Sequence, residues 1–161
     1  MSKSESRVLQ AETELRCEVT AQEVLTIKIS EGSAEIFGAE LTVEKEYNFS
    51  GRNFAIFTWY GCKLSTELSC LTAQAGTSSS IKSTLYVTSD TPMTAYVNTH
   101  IQLEARRDVA LANSERGPRV MIVGPSDCGK TSMSQVLCNY ALRLDRKPIL
   151  VDLDVDQGCN S

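Results

Sequence analysis

No stretch of about 18 apolar residues occurs in this 161-residue chain, so a transmembrane helix is not expected and neither is a membrane partner. The start, Met1-Ser2-Lys3-Ser4-Glu5-Ser6, is polar and lacks the apolar centre of a secretory signal. The expected location is therefore cytosolic or nuclear. Histidine is almost missing, with His100 the only one. The six cysteines, Cys17, Cys62, Cys70, Cys128, Cys138 and Cys159, include no C-x-x-C pair. Structural zinc sites use closely paired ligands of these types, so no zinc site is expected. In a reducing compartment the thiols read as free and mostly core-filling. Excess positive charge is also lacking, the net charge being -4. A broad electrostatic surface for nucleic acid would be basic. Any such contact must be local, or must use residues this chain does not contain. What is present is a globular composition, 42% hydrophobic and 22% charged, sufficient for one ordinary domain or two small ones.

Residues 1–12 read as a flexible start and residues 13–98 as a β-rich domain. Glu14-Leu15-Arg16-Cys17-Glu18-Val19, Val24-Leu25-Thr26-Ile27-Lys28-Ile29 and Lys45-Glu46-Tyr47-Asn48-Phe49 alternate polar and apolar residues, the period of a half-buried strand. Phe54-Ala55-Ile56-Phe57-Thr58-Trp59 is more continuously apolar, as a central strand would be. Leu85-Tyr86-Val87 and Met93-Thr94-Ala95-Tyr96-Val97 complete the set, with turn signals at Glu31-Gly32, Ser50-Gly51 and Ser89-Asp90-Thr91-Pro92. Short strands so spaced predict a small sandwich or barrel. Residues 65–84, rich in Ser, Thr and Ala, read as a long surface loop without chemistry. Thr99-His100-Ile101-Gln102 fits a capping box, which predicts a connector helix over 99–117 ended by Gly117-Pro118.

Residues 118–161 read as the beginning of a parallel α/β domain. Val120-Met121-Ile122-Val123 has the continuous apolar character of a strand buried on both faces. Gly124-Pro125-Ser126-Asp127-Cys128-Gly129-Lys130-Thr131 follows. Next, Met133, Val136, Leu137, Tyr140, Ala141 and Leu144 make one helical stripe, and Ile149-Leu150-Val151 reads as a second buried strand. The order strand, glycine loop, helix, strand is the context a phosphate-binding P-loop requires. Gly124 and Gly129 permit a tight loop and close approach of backbone to phosphate. The N–H groups of Asp127, Cys128, Gly129, Lys130 and Thr131 can point inward as an anion nest. Lys130 is placed to neutralise β- and γ-phosphates, the Thr131 hydroxyl to ligate Mg²⁺, and Ser132 to reach the α-phosphate. A chance match to this pattern in such a chain has a probability of roughly 0.5%, so the reading of a glycine turn without a ligand is the weaker one.

Asp152, Asp154 and Asp156 would share one face of a strand at the carboxyl edge of an open sheet, where ligands bind. One could hold Mg²⁺ and another accept a proton from an attacking hydroxyl. The competing reading is a solvated acidic loop. Cys128 sits at a helix N-terminus beside Lys130, an environment that can activate a thiol, but any small residue fits there. His100 reads as a surface residue at a helix start, and Phe57 and Trp59 as core.

Beyond the loop, the chain carries Glu14-Leu15-Arg16, Ala34-Glu35-Ile36-Phe37-Gly38, Phe57-Thr58-Trp59 with Gly61-Cys62, and Asp90-Thr91-Pro92-Met93. It also carries Asn98-Thr99-His100 and Arg116-Gly117-Pro118-Arg119-Val120. Together these resemble the eukaryotic polyribonucleotide 5′-hydroxyl kinase family, a subunit of the pre-mRNA 3′-end cleavage complex. The likeness runs from about residue 12 to 158, broken at 65–84. It implies an N-terminal β-sandwich, a central P-loop kinase domain and a C-terminal domain. It also implies ATP and Mg²⁺ as cofactors, transfer of the γ-phosphate to an RNA 5′-hydroxyl, and a nuclear location. The implied partners are RNA, the other cleavage-complex subunits and, in animals, the tRNA splicing endonuclease. Carried over, the family's ATP contacts fall on Glu14 and on Asp127 to Ser132. A basic family position falls on Asn53, with Arg52 beside it. The catalytic carboxylate falls on Asp154 and the family's glutamine on Gln157, while Asp156 stands where the family often has Gly. Two strands and one helix cannot bury both faces of a sheet, so a truncated isoform, an incomplete gene model or a fragment is expected. Three functional readings stay open: an RNA kinase, a scaffold that holds ATP without turning it over, and an inactive truncated form.

Overall fold

The computed structural model describes residues 2–71 and 81–153, and the chain divides into two compact units, Met1–Pro92 and Met93–Ser161. The first unit is a β-sandwich. Its strands are β1 (Ser2–Leu9), β2 (Thr13–Glu18), β3 (Glu23–Gly32), β4 (Glu35–Ile36), β5 (Ala39–Glu40), β6 (Glu46–Phe49), β7 (Asn53–Thr58), β8 (Cys62–Cys70) and β9 (Thr84–Thr88). A four-stranded sheet has the order β1-β8-β3-β6 and a five-stranded sheet the order β5-β4-β7-β2-β9. Every pairing is antiparallel.

The alternation that marks these strands in the sequence decides which residues face inward. Leu25, Ile27 and Ile29 of β3 and Leu64 and Leu68 of β8 meet Leu15, Cys17, Phe54 and Ile56 from the other sheet in one continuous core. Full burial stabilises each Leu or Ile by roughly 1.5–3 kcal/mol. Burial also pushes the Cys17 thiol up to about 12, which leaves it an inert core residue, as expected. Gly32 closes β3 in the left-handed region at φ 82°, and a Cβ there would lie 2.4 Å from the Gly61 carbonyl oxygen. Only glycine fits that crossing.

Two local expectations are corrected in this unit. The expected flexible start is strand β1, because β8 supplies it with a full ladder from Ser2↔Ser69 to Leu9↔Cys62. Within the expected loop at 65–84, residues 65–70 belong to β8, whose Cys62, Leu64, Thr66 and Leu68 point inward, and Thr84 opens β9. Residues 72–80 of that loop lie outside the described residues. A buried carboxylate anchors its far end. Glu23 accepts the Lys82 N–H at 2.8 Å and the Ser83 N–H at 2.9 Å, and the Ser83 hydroxyl donates to it as well.

The second unit contains helices α1 (Met93–Ala112) and α2 (Lys130–Arg143). The expected strand at 93–97 is therefore the first part of α1. Met93, His100, Leu103 and Ala110 are its buried residues, and helical spacing outweighs the short alternation. Thr99 lies inside the helix and donates its hydroxyl to the Ala95 carbonyl at 2.8 Å, so it caps nothing. Helix α1 ends before the expected Gly117-Pro118 stop. Ser114 at φ 57° and Asp145 at φ 56° take the left-handed position. The bonds Ser114 N–H to Leu111 O and Glu115 N–H to Ala110 O, with Asp145 N–H to Leu142 O and Arg146 N–H to Ala141 O, make a Schellman motif at each end.

The two helices pack through His100, whose ring meets the Tyr140 ring edge-on at 5.5 Å. Glu104 pairs with Arg107 and, at 2.8 Å, with Arg146, which also reaches Asp108 at 2.5 Å. The apolar runs 120–123 and 149–151 form no strand ladder, against the expectation of two buried strands. Met121, Val123 and Ile149 are 76%, 78% and 90% exposed. A strand covered on both faces needs neighbours in a sheet and a helix layer on each side, and neither is available to these runs among the described residues.

Candidate functional site

The loop from Gly124 to Thr131 delivers the chain into α2, whose N-cap is Gly129 at φ 85° and ψ 17°. Asp127 is also left-handed at φ 60°. These two turns curl the backbone so that the chain enters the helix directly, and Gly129 O accepts the Met133 N–H at 2.9 Å as the first helical bond. Gly129 has no side chain to cap α2, and no side-chain cap bond is made. The first amides of a helix have no intrahelical partner. Those of Lys130, Thr131 and Ser132 are therefore left for a ligand, and the helix dipole favours an anion there.

Lys130 bends back across the loop. Its ammonium donates to the Pro125 carbonyl at 2.6 Å, which fixes a positive charge at the mouth of the cradle. Cys128 folds its thiol against Gly124, where a Cβ would lie 2.7 Å from Sγ. A side chain at position 124 would displace the exposed Cys128 thiol, which can rotate away, so glycine here gives the loop room without being its only solution. Thr131 is exposed, with its hydroxyl on the first turn of α2, and its carbonyl accepts the Ser134 hydroxyl at 2.8 Å. Open amides, a fixed ammonium and an exposed hydroxyl are the donor set that a triphosphate with Mg²⁺ needs. Among the described residues no group of three or more His, Cys, Asp or Glu could hold a metal by itself.

Asp154, Asp156 and Gln157 lie outside the described residues. Glu14 sits on β2 and is buried at 4% exposure. One of its oxygens accepts Arg16 Nε at 2.7 Å and the other the Thr91 hydroxyl at 2.7 Å. Arg16 continues to the Asp90 carbonyl at 2.7 Å. In this geometry Glu14 ties residues 90 and 91 to β2, and both carboxylate oxygens are engaged. Asn53 opens β7 opposite Glu18, whereas Glu14 is opposite Phe57. The two candidates share one face of the sheet but stand four residues apart along the ladder, about 13 Å, so the structure does not bring them together.

One residue beside the loop escaped the sequence. The Tyr96 hydroxyl of α1 lies 3.7 Å from where a Cβ on Gly129 would be. It walls the loop from outside the motif, and no local signal announced it because its run alternates like a strand.

Residues 8–110 match the family described as the N-terminal beta-sandwich domain of polyadenylation factor. Residues 124–161 match the one described as the mRNA cleavage and polyadenylation factor CLP1 P-loop. The chain is 48% identical over 151 residues to the polyribonucleotide 5′-hydroxyl-kinase Clp1 of Homo sapiens, covering 93% of this chain and 33% of that protein. It is 49% identical over 151 residues to the Danio rerio protein of the same name, covering 93% and 31%. The chain thus spans about a third of the length of the curated relatives it matches. Among solved structures, the wild-type Clp1p–Pcf11p complex superposes with a TM-score of 0.73 at 31% identity, over 89% of this chain and 30% of that one. A second Clp1p–Pcf11p structure, which concerns ATP loss in a point mutant, gives 0.72 at 31% identity over the same shares.

Proposed function

The chain belongs to the Clp1 polynucleotide 5′-hydroxyl-kinase family, and from that premise we propose that it binds Mg-ATP in the Gly124–Thr131 loop and contributes to γ-phosphate transfer onto an RNA 5′-hydroxyl. The observation that carries this reading is the Lys130 ammonium, held 2.6 Å from the Pro125 carbonyl within a loop that leads into a helix N-terminus no side chain caps. A charge placed there before the ligand arrives needs little rearrangement to receive phosphate.

In this reading the amides from Asp127 to Thr131 hold the phosphate oxygens, and Lys130 neutralises the β- and γ-phosphates. Thr131 and Asp154 are the residues that would hold Mg²⁺, which when bound supplies neutralisation of the charge on the transferring group. Asp154 takes the proton from the RNA hydroxyl as it attacks. Membership also supports a role in pre-mRNA 3′-end cleavage with a Pcf11-type partner, since Clp1p forms a complex with Pcf11p in the solved structures. A nuclear location and a tRNA splicing endonuclease partner extend the same proposal, and cell fractionation with co-purification tests both.

The direct test is calorimetric titration of Mg-ATP into the full-length protein and its Lys130→Ala variant, followed by labelling of 5′-hydroxyl RNA from γ-labelled ATP. Removing two charge-assisted contacts to phosphate, each about 1.5–3 kcal/mol, predicts a loss of affinity of at least about 100-fold. Equal affinity in the two proteins would refute the cradle. ATP that is bound but never transferred to RNA would refute the kinase step alone.

A further inference from the structure

The outer side of α1 carries a concave basic surface that the nucleotide site does not use. The Schellman end at Ser114 turns the chain back, and the Glu115 N–H bonds the Ala110 carbonyl at 2.8 Å. Residues 115–119 therefore lie beside the C-terminal half of α1 and border a shallow, open groove of about 400 Å³. Arg106, Arg116 and Arg119 border it, Glu115 is its one acid, and Val109 and Pro118 line its apolar wall. None of these three guanidiniums makes an ion pair or hydrogen bond among the described residues. Arg107 and Arg146, by contrast, are paired with Glu104 and Asp108. Arg106 follows Glu104 by two residues, about 200° round the helix, so it lies away from that ion-pair network. A net positive groove in a chain of net charge -4 is the kind of local basic contact that an acidic protein needs in order to hold nucleic acid.

We propose that this groove binds the phosphodiester backbone of the single-stranded RNA substrate, downstream of its reacting 5′ end. The proposal rests on the RNA-kinase reading above. Planar guanidinium forks match phosphate oxygens two at a time. The groove has no aromatic socket of the sort that anchors a peptide. Its position sets which nucleotides it meets. Tyr96 marks the P-loop on α1, and Arg106 lies ten residues further along the helix, about 15 Å. An RNA held at the loop by its 5′ end reaches the groove only with later nucleotides. The groove therefore adds affinity for long strands and nothing to the chemistry at the end.

The test uses the full-length protein and its Arg106→Gln/Arg116→Gln/Arg119→Gln variant, with a 5′-hydroxyl RNA of about ten nucleotides and a dinucleotide, titrated over a range of salt. Three lost phosphate contacts should flatten the slope of log affinity against log salt by about 2 and weaken the long RNA about tenfold or more. Mg-ATP affinity and phosphorylation of the dinucleotide should not change. An unchanged salt slope would overturn the proposal, as would an equal loss on ATP or the dinucleotide, which would mean a structural role. Arginine-dependent capture of a poly-glutamate peptide, with RNA binding unaffected, would also overturn it. A wild-type protein that binds no RNA would remove the RNA-kinase reading itself, whereas wild-type binding with an unchanged slope would remove only the groove.

Discussion

Replacing Glu23 by Gln is expected to weaken the sandwich severely, although the two side chains have the same shape. Glu23 is 3% exposed and receives the N–H groups of Lys82 and Ser83 at 2.8 and 2.9 Å, plus the Ser83 hydroxyl. That hydroxyl in turn accepts the Thr20 N–H at 3.1 Å. A glutamine keeps one acceptor oxygen and turns an NH₂ toward donors that already point at it. One or two charge-assisted bonds are lost and a donor is left facing a donor, which costs about 2–4 kcal/mol. Trp59 is the only tryptophan in the sequence. It stacks edge-on against Phe57 at 4.7 Å in the same unit, so its fluorescence during urea unfolding reports the sandwich alone. With a urea dependence of about 1–2 kcal/mol per molar, the midpoint should fall by about 2 M.

The pH dependence sharpens the test. Burial by itself would raise the Glu23 carboxyl, but the hydrogen bonds from Ser83, Lys82 and Thr20 outweigh it and hold the group below the usual carboxylate range. A depressed carboxyl stabilises the fold fully above its unfolded value, about 4.3, and ceases to do so as pH falls through the lower folded value. The difference between wild type and variant should therefore be constant near neutrality and narrow only below about pH 4. A difference under about 0.5 kcal/mol at pH 7, or one as large at pH 3 as at pH 7, would refute this account of the clasp.

Two further substitutions test other parts of the fold. Gly32→Ala places a Cβ 2.4 Å from a backbone oxygen at φ 82°, so the same tryptophan signal should show a loss of about 2–4 kcal/mol; a loss below about 1 kcal/mol would mean that the crossing relaxes freely. His100 is buried, and its Nδ1 has no partner. Burial depresses its pKa, Glu104 opposes that shift and Arg107 adds to it. A histidine held below its unfolded value stabilises the fold fully above about pH 6.5 and less as pH falls below it. Circular dichroism at the helical band should show the helix pair weakening between about pH 7 and 5, and His100→Phe should abolish that trend.

Local chemistry made the phosphate cradle readable from the sequence. Gly124, Gly129, Lys130 and Thr131 act through the backbone of one loop, so their spacing along the chain is already their geometry. Strands β2, β3 and β6 were readable for a similar reason, because each carries its own alternation, and β7 and β9 because each is a short apolar run between turn signals. Strand β1 was not, since Ser2–Leu9 is mostly polar and becomes a strand only by pairing with β8, some 60 residues away. Strand β8 hid behind its Ser and Thr content, although Thr66 points into the core. The end of α1 was displaced because Ser114, not a glycine, takes the left-handed cap. The apolar runs at 120–123 and 149–151 have the composition of buried strands, but burial needs partner layers, which no composition provides. By itself, then, the sequence determined the phosphate-binding loop, the β-rich first unit and the family. Tertiary structure decided that Glu14 is locked between Arg16 and Thr91, that Tyr96 walls the loop, and that the turn after α1 sets Arg116 and Arg119 beside Arg106 at one groove. The physical reason is that these are contacts between elements, set by packing and register, and such contacts leave no periodic trace along the chain.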